Sequence, residues 1–77
     1  MTVYSGDSQK VVAMADDGSF VSIDFTSTAA KVMACECPGP VLTKIVPKKS
    51  AGYKAIVALH DKMLRRVPVF ELEGPYG

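Results

Sequence analysis

The chain has 77 residues, 48 % apolar and 22 % charged, with nine Lys and Arg against eight Asp and Glu for a formal charge of +1. That composition excludes the charge-heavy signature of disorder and fits one small domain, residues 1–77, able to bury about 60 % of the surface its unfolded chain exposes. It leaves little material for a deep cleft, no apolar run approaches the roughly 18 residues of a membrane span, and residues 1–10 lack the charged start and apolar stretch of a signal peptide.

Two cysteines, Cys35 and Cys37, cannot form a disulfide scaffold, and a bridge between them would be badly strained. Free thiols without an export signal point to a reducing, cytoplasmic location. There is no Trp, so the core must rest on Val, Ile, Leu, Met and Ala.

Residues 1–8 contain Ser-Gly-Asp-Ser and read as a loose lead-in. Residues 10–15 are apolar and partly β-branched. Asp16-Asp17-Gly18-Ser19 follows, and Asp-Gly is a strong hairpin signal because glycine accepts positive φ. In residues 20–25, Val21, Ile23 and Phe25 alternate with Ser22 and Asp24, the period of a strand with one wet face.

Thr26-Ser27-Thr28 offers hydroxyl N-caps. Ala30, Met33, Ala34 and Cys37 then fall at the i, i+3, i+4, i+7 spacing of a helix face, and Pro38-Gly39-Pro40 ends the segment. The spacing predicts a helix over 30–37, with a strand over 30–36 as the rival reading. Residues 41–46 read as a strand closed by Pro47.

The clearest pattern lies between residues 50 and 67. On a wheel of 100° per residue, Tyr53, Ile56, Val57, His60, Met63, Leu64 and Val67 share about 120° of arc. Lys54, Asp61, Lys62, Arg65 and Arg66 fall opposite. Ser50 is the expected N-cap, and Pro68 the stop. Residues 69–72 read as a short last strand and 74–77 as a loose tail.

The predicted order is β-β-α-β-α-β: a small two-layer α+β domain, with two helices on one face of a mainly antiparallel sheet and a right-handed crossover from strand 20–25 to strand 41–46. The alternative is an all-β six-stranded barrel, in which 30–46 and 53–72 are each hairpins.

Charge is unevenly spread. Residues 1–37 have two cations against five carboxylates; residues 38–77 have seven against three. The seven, Lys44, Lys48, Lys49, Lys54, Lys62, Arg65 and Arg66, all lie within 44–66 beside one carboxylate, Asp61. Such a face fits an acidic protein surface, a phosphate backbone, or nothing beyond solubilising a helix. The near-neutral total, and the lack of aromatics interleaved with these cations, count against nucleic acid.

Chemistry is thin elsewhere. His60, the only histidine, sits mid-face among apolar neighbours, where a structural role bonded to backbone or water is expected. On a helix, Cys35 and Cys37 point about 160° apart, so they could not share a metal, and one histidine completes at most three of the four ligands of structural zinc. Cys37 is then a core residue and Cys35 a rim residue, its thiol acidified by Lys31 one helical turn away. Asp16-Asp17 is turn chemistry, the scattered glycines form no phosphate loop, and Tyr4, Tyr53 and Tyr76 are too far apart in sequence to read as a cage.

These observations predict a stand-alone, non-enzymatic binding module without cofactor or metal. It would regulate or inhibit a larger protein by occupying an acidic patch through Lys54, Lys62, Arg65 and Arg66, with Lys44, Lys48 and Lys49 beside them. Nucleic-acid binding through the 44–66 segment is the first alternative, and thiol or metal chemistry at Cys35, Cys37 and His60 the second. An uncovered sheet face or an edge strand also invites homodimerisation.

Overall fold

The computed structural model describes residues 1–68 of the chain. Five strands and one helix follow one another as β1 Val3–Gly6, β2 Lys10–Met14, β3 Phe20–Phe25, β4 Ala29–Cys35, β5 Val41–Pro47 and α1 Tyr53–Leu64. The strands form one antiparallel sheet in the order β1-β2-β3-β4-β5, each pairing with its neighbour in sequence. The fold is α+β, but one helix stands where two were expected, and there is no crossover among the described residues.

The hairpin of β2 and β3 forms as the Asp-Gly signal predicts. Gly18 adopts φ +93°, its N–H donates to the Ala15 carbonyl, and the Ala15 N–H donates to the Ser19 carbonyl at 2.8 Å. The Asp17 carboxylate accepts the Ser19 N–H at 2.9 Å.

β1 corrects the expected lead-in. Val3–Gly6 pairs with Val11–Met14, because Ser-Gly-Asp-Ser is itself a turn. Asp7 accepts the N–H groups of Gln9 and Lys10 at 2.9 and 3.0 Å. Gly6 opens this turn at φ +121°, where an added Cβ would collide with the Lys10 carbonyl oxygen and lie 2.8 Å from the Val11 Cα.

β4 corrects the predicted helix over 30–37. The Thr26 hydroxyl does accept the Ala29 N–H at 3.1 Å, as an N-cap would. The Thr26 N–H, however, donates to the Ala29 carbonyl at 2.8 Å, which closes a tight turn instead of opening a helix. Ala30, Val32 and Ala34 then follow the strand period, and β4 supplies partners for the backbones of both β3 and β5. A helix here would strand both sets of polar groups. Half of the all-β alternative therefore holds: 30–46 is a hairpin turning at Pro38-Gly39-Pro40, whereas 53–64 is helical.

α1 falls inside the predicted 50–66 helix. Its N-cap is Gly52 rather than Ser50. The Ser50 hydroxyl instead accepts the Gly52 N–H at 3.3 Å, inside the preceding turn. Past Leu64 the chain tightens, with the Arg66 N–H bonded to the Met63 carbonyl and the Val67 N–H to the Leu64 carbonyl, ahead of Pro68. The expected strand over 69–72 and the tail over 74–77 lie outside the described residues. None of the described helices is long and apolar enough to cross a membrane.

The core lies between α1 and one face of the sheet. Val11 and Ile23, both wholly buried, meet Met63 and Val67, with Tyr4, Phe25, Val32 and Ile56 packed around them. Strand alternation sends Val12, Met14, Phe20, Ser22 and Met33 to the opposite face. Nothing among the described residues covers that face.

Candidate functional site

The seven predicted cations are all solvent-exposed. Among the described residues, none comes within 4.0 Å of a carboxylate oxygen; the ion pairs found involve the N-terminal amine with Asp16 and His60 with Asp61. The fold gathers the cations into two groups at opposite ends of α1. Lys48 and Lys49 sit in the turn before the helix and Lys54 in its first turn. Lys44 projects from β5 on the helix side, along a groove of about 260 Å³ shared with Ser50, Gly52 and Ile56. Lys62, Arg65 and Arg66 occupy the other end. Lys54 and Lys62 lie within the same helix, so the two groups approach no closer than about 12 Å along its axis at about 1.5 Å per residue, and a partner using both must be extended.

The second group holds a feature that sequence reading missed. The Arg66 guanidinium lies over the Tyr4 ring, 5.7 Å from its centroid. Tyr4, Leu59, Lys62, Met63 and Arg66 line a notch of about 310 Å³ between the helix end and β1. Two cations thus stand beside an aromatic and an aliphatic wall, and the ring restrains one of them. A cation held over a ring is better ordered than a free surface lysine. No local signal could link residues 4 and 66; pairing of β1 into the sheet brings them together.

The thiol and imidazole groups are not assembled. His60 is 3 % exposed and packs on Phe25 with ring centroids 4.5 Å apart. Cys35 pairs with Phe20, at the other end of β3, roughly 17 Å away at about 3.4 Å per residue. Cys37 is exposed in the β4–β5 turn, which corrects its expected place in the core: the helix that would have buried it does not form. For the same reason Lys31 lies four strand residues from Cys35 instead of one helical turn away. The Cys35 thiol instead sits 3.5 Å from the Gly39 carbonyl oxygen. No group of three metal-ligating side chains occurs among the described residues.

His60 holds the structural place expected of it, inside the core. Its Nε2 is buried without a hydrogen-bond partner, and its Nδ1 lies 4.0 Å from the Asp61 carboxylate, beyond hydrogen-bonding range. No backbone group bonds to Nε2; the ring serves the core as an aromatic surface against Phe25.

The uncovered sheet face is the other exposed asset. Val3, Met14, Val41 and Ile45 lie on it and are each about half exposed or more. Val12, Met14, Phe20 and Met33 line a shallow groove there. Lys10, Asp24 and Lys31 stand opposite one another in a single cross-strand row on the same face. Comparison of the chain with known protein families, curated proteins and solved structures finds no match.

Proposed function

We propose that this chain is a non-enzymatic binding module that regulates or inhibits a larger protein by occupying an acidic patch on its surface. The observation that carries this reading is the layout of the cations. All seven are exposed on the helix side or the turn leading to it, unneutralised by any described carboxylate, and Arg66 is braced on Tyr4. Exposed ion pairs are individually weak, about 0–1 kcal/mol each, so the contact gains its specificity and encounter rate from the array. The Tyr4–Arg66 notch is its anchor, taking an Asp or Glu side chain of the partner between Lys62 and Arg66. Two free thiols suit a reducing, cytoplasmic setting.

The test is capture from the native host with the intact protein and with the fourfold reversal Lys54→Glu, Lys62→Glu, Arg65→Glu, Arg66→Glu, quantified by mass spectrometry. The expected result is a larger, acidic protein retained by the first and lost by the second, at an unchanged melting temperature. Retention by both variants removes the helix face as the contact surface. Retardation of any DNA or RNA at low salt, with log K falling by roughly 0.7–0.9 per phosphate contacted for each unit of log salt, would replace the protein partner with nucleic acid.

A further inference from the structure

The sheet has two edges, and they are finished differently. β1 is four residues long, and Arg66 lies over its Tyr4. β5 is seven residues long and exposed at every position but Val46; its Val41, Leu42 and Ile45 are 48, 67 and 55 % exposed. α1 packs chiefly against β1, β2 and β4, so the outer side of β5 is uncovered among the described residues. An exposed strand edge is a template for pairing with another chain.

The hydrogen-bond phase of β5 says which groups are on offer. In an antiparallel ladder, alternate residues turn both backbone polar groups toward the same neighbour. The Lys48 N–H donates to the Thr28 carbonyl at 3.0 Å, and the pairs Ala30 with Val46, Val32 with Lys44 and Ala34 with Leu42 continue that phase. The bond from the Thr26 N–H to the Ala29 carbonyl fixes the same phase independently, from the β3 side of β4. Leu42, Lys44 and Val46 therefore bond to β4, while Val41, Thr43 and Ile45 aim their N–H and C=O groups away from the sheet. Pro47 also falls at an outward position, where a missing N–H costs the ladder nothing.

We propose that β5 pairs antiparallel with β5 of a second copy of this chain, about a two-fold axis through Thr43. In that register Thr43 faces Thr43 and Val41 faces Ile45 on either side, and each of these residues both donates and accepts across the axis. Leu42 stands opposite Lys44 on the helix side. The register centred on Lys44 would set two ammonium groups directly opposite, a destabilising cross-strand pair, and would spend one bond on Pro47. The register centred on Leu42 carries the ladder off the strand into Pro40 and Gly39. Lys and Pro are residues by which sheet edges ordinarily resist pairing; here they disfavour the registers centred on Lys44 and on Ile45, where Pro47 would face Val41 or Thr43 without an N–H to donate, and so favour the register through Thr43. The pairing joins two five-stranded sheets with their uncovered faces on the same side, because Val41, Thr43 and Ile45 carry their side chains there. A single strand pair falls short of the roughly 1,200 Å² typical of stable complexes, so the dimer forms and dissociates with concentration. It shares only Lys44 with the cationic array and none of the four residues reversed to test that array, so either proposal can fail alone.

Sedimentation equilibrium of the full chain across a wide dilution series tests this. The unmodified protein is expected to show a monomer–dimer equilibrium. Thr43→Pro deletes an outward N–H without touching the bonds to β4, and should be monomeric throughout at a nearly unchanged melting temperature. Val41→Lys, which leaves the backbone alone, should weaken association roughly tenfold or more. Adding Ile45→Glu to it should restore the dimer, since only the Thr43 register sets residue 41 against residue 45. An unmodified protein that stays monomeric, or a Thr43→Pro dimer as tight as the original, overturns the proposal; failure of Ile45→Glu to rescue Val41→Lys overturns the register.

Discussion

The two faces of the sheet are built from the same strands with the same alternation, yet they end in opposite conditions. One face carries Val11 and Ile23 at zero exposure beneath Met63 and Val67. The other carries Val12, Phe20 and Met33 half-buried and Met14 exposed. Stability therefore resides on the helix side, and the other face holds apolar area that folding alone does not use. Truncating across the sheet gives the largest contrast. Ile23→Ala should lower stability by about 2–5 kcal/mol, the cost of a fully buried aliphatic side chain and the cavity it leaves. Met33→Ala, on the uncovered face, should cost less than about 1 kcal/mol. Urea denaturation at matched concentration measures both. Equal losses would show that the second face is covered after all, and a loss for Met33→Ala that grows with protein concentration would show that a second copy covers it.

A comparison of turns comes next in size. Gly6 and Gly18 both adopt positive φ, but only Gly6 also lacks space, with the Lys10 carbonyl and the Val11 Cα against the position of a Cβ. Around Gly18 the nearest atom is the Cys37 Sγ at 3.7 Å. Gly6→Ala should thus cost about 1–3 kcal/mol and Gly18→Ala less. Amide exchange should show the Gly6→Ala loss concentrated in β1 and its pairing with β2. Protection of β1 equal to that of β3 in this variant would contradict the assignment.

How much of this was legible in the sequence follows the range of the interactions. The β2–β3 hairpin was readable because its cause, Asp-Gly between two apolar runs, is local. The helix was readable because seven residues at one periodicity outweigh any single ambiguity. Residues 30–37 fit both periods: Ala30, Met33, Ala34 and Cys37 for a helix, Ala30, Val32 and Ala34 for a strand. Alanine and lysine propensity then favoured the wrong one. What decides for strand is the demand of β3 and β5 for a partner between them, and no window of eight residues contains that. The cations were visible as a group, whereas the brace between Tyr4 and Arg66 depends on two ends of the chain meeting.

His60 compares with its neighbours on the same helix face. Met63 contributes packing at no polar cost, while His60 buries an Nε2 without a partner. An unpaired buried polar group ordinarily costs about 1–3 kcal/mol, and replacing it with an apolar group of similar size can be neutral or stabilising. His60→Leu should therefore hold or raise the denaturation midpoint, and His60→Ala should lower it through lost contact with Phe25. A large loss in both variants would mean that Nε2 is satisfied in solution.

The smallest expected effect separates two exposed turns from the core by pH. Asp7 is held below the ordinary aspartate range by the backbone N–H of Lys10 and then that of Gln9. Asp17 is held below it by the backbone N–H of Ser19 and then its hydroxyl. Each carboxylate binds its proton less readily in the folded chain than in the unfolded one, so the unfolded state takes up more protons as the medium is acidified. The contribution is complete above the ordinary aspartate value of about 3.9 and is lost as pH falls through the lower, folded values. Asp7→Asn and Asp17→Asn keep an oxygen acceptor but cannot titrate, so each should flatten the fall of melting temperature with acid while changing little near neutral pH. Asp7→Ala loses the acceptor itself and should melt lower at neutral pH as well. If the Asn variants show the same acid slope as the unmodified protein, the turn carboxylates do not set it, and the slope must come from another titrating group.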